Sequence, residues 1–212
     1  MTALAPAKAP RYFSLKFFYF CFYGALGAYF PFLQLYYRDI GLDVAQIGVL
    51  ATVGGLIGLL AGPLWTLIAD AFRLQRIMLP LCFALNLGLL FLIGQTPSFG
   101  GLVLVVGLNA FLSAPVGPLA DSGVVLALGE RRELYGAQRL WGSVSWAVST
   151  VVVGALVTQF GVWVIFPIVV GLGVPAVIMS ARLPSATLIQ PDLRQGARQL
   201  LRDRGWLLFI LS

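Results

Sequence analysis

Six apolar runs, each about as long as a bilayer core is thick, follow one another with only short polar breaks. They cover residues 14–37, 44–69, 77–94, 100–128, 140–158 and 162–181. At about 1.5 Å per residue, each run can cross a hydrocarbon core of about 30 Å. Lipid offers the backbone no hydrogen bonds, so such runs fold as helices that satisfy their own amides. The sequence therefore predicts an all-α, polytopic membrane protein with six transmembrane helices.

The basic residues orient it. Threaded from a cytoplasmic N-terminus, thirteen of the fourteen Lys and Arg residues fall inside, and only Arg38 falls outside. Cytoplasmic loops carry such an excess, which predicts that the N-terminus and the 182–205 stretch are cytoplasmic in an inner (cytoplasmic) membrane. The net charge of +6 is thus topological and gives no reason to expect nucleic acid. The first run opens like a signal peptide but extends through Tyr37, too long for cleavage, so it reads as a retained helix. Cys21 and Cys82 both fall within runs, so no disulfide framework is implied.

The chain has no histidine. That excludes Ser–His proteolysis, HExxH metal chemistry and haem ligation by histidine. The few acids do not cluster to hold Mg²⁺. No enzyme, metal or cofactor is expected.

Short connections force sequential antiparallel packing and group the helices as three plus three. Pro31 in the first run and Pro115 and Pro118 in the fourth are expected to break helices at corresponding places of the two triplets, as in a repeat whose first helix lines a pathway. Asp43-Val-Ala-Gln46 is a capping box that starts the second helix. Gly54, Gly58 and Gly62 form a stripe in it where a neighbouring helix can approach closely. Residues 1–181 are expected to form the bundle. Residues 182–205 read as a basic amphipathic linker on the membrane surface, and 206–212 as the start of a seventh helix. That seventh start points to a missing six-helix half, or to a second copy serving in its place.

Charge inside a membrane costs a few kcal/mol unless paired or hydrated. Asp121 is the only acid deep in a run, and Arg139 lies eighteen residues on at the entry to the next. Antiparallel helices bring the two to similar depth, and Arg139 can snorkel inward. Two readings follow: a structural ion pair in a membrane scaffold, or a pair facing a water-filled cavity where a solute binds. Trp146, two turns after Arg139, could stack on that solute. Asp70 ends the second run against the helix dipole, with Arg73 and Arg76 as candidate partners.

Three motifs carry a resemblance. They are Gly27-Ala-Tyr-Phe-Pro-Phe32, Pro63-Leu-Trp-Thr-Leu-Ile-Ala-Asp70 followed by Arg76, and Tyr135-Gly-Ala-Gln-Arg-Leu-Trp-Gly-Ser-Val-Ser-Trp146. The chain resembles the N-terminal half of the major facilitator superfamily, in its oligosaccharide–proton symporter branch, and is also similar to phenylpropionate and nucleoside permeases. The resemblance implies proton-coupled uptake of a small solute such as a sugar, nucleoside or aromatic acid. It implies Asp121, Arg139 and Trp146 as solute-binding residues, and Asp70 and Arg76 as the gating loop motif. The sequence departs from the family at Thr66 and Arg73, where the loop motif has glycines. It departs also at Ala137, in place of an arginine, and at Asp121, in place of a glutamate.

Overall fold

A computed structural model describes residues 12–72 and 75–184, with side chains except at 66, 67 and 69–76. All regular structure among the described residues is helical. The first span is α1 (Tyr12–Tyr29), a 3₁₀ turn (Phe30–Phe32) and α2 (Leu33–Asp39). The second and third are α3 (Val44–Phe72) and α4 (Gln75–Ile93). The fourth is α5 (Phe99–Ser113) and α6 (Val116–Leu128), the fifth α7 (Tyr135–Phe160) and the sixth α8 (Ile165–Ser180). Five of these spans are long and apolar enough to cross a membrane over their described residues. The apolar part of α4, Ile77–Ile93, is shorter, although the whole helix of 19 residues reaches about 28 Å.

Helix starts and stops follow local chemistry. The Asp43 carboxylate accepts from the Gln46 amide at 2.7 Å, and the Gln46 side chain accepts from the Asp43 amide at 3.1 Å. That reciprocal pair satisfies two amides that the first turn leaves free. Ser98 caps α5 in the simpler way, accepting from the Gly101 amide. Gly161 ends α7 with φ +84°, and the chain turns directly into the sixth span.

The packing obeys a three-plus-three exchange. The principal contacts are α1 with α7 and α8, α5 with α3 and α4, and α4 with α8. Exchanging the first three spans for the last three maps this set onto itself. The exchange also relates the two broken spans. Proline has no amide hydrogen, so Pro31 leaves the Gly27 carbonyl without its i+4 donor, and Pro115 does the same to Phe111. Pro118 breaks nothing, contrary to the sequence expectation. It is the third residue of α6, where an amide would have no helical partner anyway.

Glycine sets the closest crossings. A Cβ on Gly27 would sit 2.7 Å from the Trp146 carbonyl, so α1 and α7 meet backbone to backbone. A Cβ on Gly107 would meet Ile57 at 2.9 Å where α5 crosses α3. On the α3 stripe Gly54 faces Val106, and among the described residues nothing lies within 4 Å of a Cβ on Gly58.

Two apolar clusters fill the interior. One joins Phe18, Tyr19 and Phe22 to Cys82, Leu119 and Val124; the other joins Tyr36 and Tyr37 to Ile93, Leu102, Ile165 and Phe166. Arg131 donates to the Tyr12 hydroxyl at 3.3 Å, and Tyr36 donates to the Ile93 carbonyl at 3.2 Å. These bonds mark the two ends of the bundle. The amphipathic linker and seventh helix expected at 182–205 and 206–212 lie outside the described residues from 185 onward.

Candidate functional site

The break at Pro115 sets the course of α6, and Asp121 is its sixth residue. The chain then reverses through Gly129, whose φ of +58° suits a residue without a side chain, and a 3₁₀ turn at Arg132–Leu134. Arg139 follows as the fifth residue of α7. The antiparallel reversal places the two charges side by side, and α1 closes the site with Tyr19 and Tyr23, one turn apart on one face.

The geometry does not describe a tight ion pair. Arg139 Nε lies 3.9 Å from Asp121 Oδ1, and the two side chains are 37% and 36% exposed. A charge-assisted hydrogen bond is about 1 Å shorter. A pair this open and this far apart contributes about 1 kcal/mol or less. Each charge also has an aromatic partner on α1. Tyr19, wholly buried, donates its hydroxyl to Asp121 Oδ1 at 2.7 Å. The Arg139 guanidinium lies 4.0 Å from the centre of the Tyr23 ring, within cation–π range. Tyr135 stands edge-on to Tyr19 at 6.4 Å. Acceptors on Asp121 and donors on Arg139 thus share a partly open position.

Trp146 shares the face of α7 that meets the first span. Its backbone touches Gly27 and its ring lies beside Phe30 at 6.4 Å, two turns beyond Arg139. Asp70 is in the last turn of α3 and Arg76 is the second residue of α4. Their side chains lie outside those described. Tyr19 and Tyr23 are the residues that sequence reasoning missed. No local signal sets them apart in so aromatic a span. Among the described residues no three His, Cys, Asp or Glu side chains gather to hold a metal ion.

A six-span helical bundle of two exchanged triplets, with an acid and a base exposed at a crossing of its spans, defines a polytopic membrane protein of the major facilitator type. The chain belongs to the MFS_1 like family, whose sequence model matches residues 12–204. It is 33% identical to the maltose permease of Geobacillus stearothermophilus over 201 residues, 92% of this chain and 50% of that protein. It is 31% identical over 195 residues to a protein of Escherichia coli K12 named "Probable 3-phenylpropionic acid transporter", covering 89% of this chain and 48% of the other. The crystal structure of a mutant of the nucleoside transporter NupG has the same fold, with a TM-score of 0.77 at 19% identity over 94% of this chain and 53% of that one. The chain spans about half the length of the curated relatives it matches.

Proposed function

We propose that the protein is a secondary transporter taking up a small hydroxylated solute, coupled to protons, with Asp121, Arg139 and Trp146 as its solute-binding residues. The carrying observation is the open Asp121–Arg139 pair at 3.9 Å, in which Asp121 accepts from Tyr19 at 2.7 Å and Arg139 lies 4.0 Å from the Tyr23 ring centre. A neutral solute with neighbouring oxygens satisfies both: one hydroxyl donates to the carboxylate, and the next oxygen accepts from the guanidinium. Maltose and nucleosides have that chemistry. An aromatic carboxylate would gain Arg139 and would meet like charge at Asp121 only while that carboxyl is unprotonated. Trp146 supplies a ring face against which a sugar or base can lie.

In this reading Asp121 carries the proton in this part of the protein, because the chain contains no histidine to do so. The chain supplies the N-terminal six-helix half, in an inner membrane with its N-terminus in the cytoplasm. The second and fifth spans, related by the repeat, are its least buried, and a second half would pack on them. Uptake of labelled maltose, uridine and 3-phenylpropionate by the complete gene product tests the reading. Transport that survives Asp121→Ala or Arg139→Ala undiminished would exclude the site.

The alternative, a scaffold using Asp121–Arg139 as a structural tie, draws little from a pair at 3.9 Å that is one third exposed. An intact mass near twice 22.8 kDa for the native gene product would support a half of a larger transporter.

A further inference from the structure

We infer that Tyr19 and Tyr23 are positioning residues that hold Asp121 and Arg139 apart and ready, Tyr19 through its hydroxyl and Tyr23 through its ring; this rests on the solute-binding role proposed above. Left to themselves, a carboxylate and a guanidinium this near one another can close into a bidentate pair. Such a pair would spend on itself the acceptors and donors that a solute needs. Here the closure is incomplete, and the reason lies in α1. The buried Tyr19 hydroxyl occupies Asp121 Oδ1 at 2.7 Å, the oxygen nearest Arg139. The Tyr23 ring holds the guanidinium by its face at 4.0 Å, which leaves the in-plane N–H groups free to point elsewhere.

Neither tyrosine can drift. Tyr19 packs against Phe18 and Tyr135, and Tyr23 is pressed against α7, where a Cβ on Gly142 would lie 2.5 Å from its ring. The first span therefore sets the spacing of a pair that belongs to the fourth and fifth. A hydrogen bond to a charged group changes affinity by about tenfold or more.

The test compares Tyr19→Phe and Tyr23→Leu with Asp121→Asn in the complete gene product, by uptake of labelled maltose, uridine and 3-phenylpropionate. Tyr19→Phe is expected to raise KM about tenfold with Vmax within twofold. Tyr23→Leu removes the ring and is expected to raise KM several-fold. A second readout needs no solute: carbodiimide labelling of Asp121 in membranes, followed by peptide mass. It should run several-fold faster in Tyr19→Phe. Native KM or native labelling in Tyr19→Phe, with uptake still lost in Asp121→Asn, overturns the positioning role and leaves the solute site standing. Uptake indifferent to Asp121→Asn removes both.

Discussion

Trp65 of the second span donates its indole N–H to the Phe111 carbonyl of the fourth at 2.6 Å, replacing the donor that Pro115 cannot supply. The repeat makes the same repair on its other side. Thr150 of the fifth span donates to the Gly27 carbonyl of the first at 3.2 Å, and Gly27 is the residue that Pro31 orphans. Second-to-fourth and fifth-to-first are exchanged by the three-plus-three relation. Each broken span thus borrows its missing donor from the partner that the repeat assigns to it.

Trp65→Phe should therefore destabilise the protein by about 1–3 kcal/mol, as expected when a buried acceptor loses its donor. Pro115→Ala restores the amide. In that background Trp65→Phe should cost less than half as much. Thermal unfolding of the detergent-solubilised protein measures the cycle. Equal costs in the two backgrounds would show that Trp65 contributes by packing alone.

The glycines divide by what faces them. Gly27→Ala places a methyl 2.7 Å from the Trp146 carbonyl, where only backbone could give way. That variant should lose most of its folded yield. Gly58→Ala meets nothing within 4 Å and removes a flexible residue from a helix, so it should fold at the native level or slightly better. Folded yield by size-exclusion chromatography in detergent separates them. A well-folded Gly27→Ala would mean the first and fifth spans can slide apart.

This contrast marks where the sequence was legible. Span number, the capping box and the breaks at Pro31 and Pro115 depend on local chemistry, and the sequence displays that chemistry directly. The glycine stripe of α3 shows a face without naming its neighbour: Gly54 lies against Val106, and a tighter approach to that helix comes from Gly107 on α5, against Ile57. Tyr19 and Tyr23 were hidden for the same reason. They sit among Tyr12, Phe13, Phe17, Phe18, Phe20 and Phe22, and nothing local distinguishes the tyrosine that meets an acid 102 residues away.

Reversing the charges separates a tie from a site. In Asp121→Arg with Arg139→Asp, attraction between the two is retained. The Tyr19 hydroxyl, however, now faces a cation and the Tyr23 ring an anion. The doubly substituted protein should reach the membrane at near-native level, since the pair itself contributes about 1 kcal/mol or less. It should show no uptake of any solute the native protein takes up. Recovery of uptake relative to either single substitution would favour the structural tie.

Orientation can be read with thiol chemistry scored on peptides of this chain. Cys21 and Cys82 are free but buried, at 3% and 1% exposure, so a membrane-impermeant maleimide should leave these two positions unlabelled. Gln95 and Glu130 are exposed, each at a turn between spans, at opposite ends of the bundle. With the N-terminus in the cytoplasm, Gln95→Cys faces out and should label in intact cells. Glu130→Cys faces in and should label only after permeabilisation. The basic residues demand this sense, because Arg131 and Arg132 adjoin Glu130 and Arg182 follows the sixth span. The reverse labelling pattern would place thirteen of fourteen basic residues outside and overturn the proposed direction of solute entry.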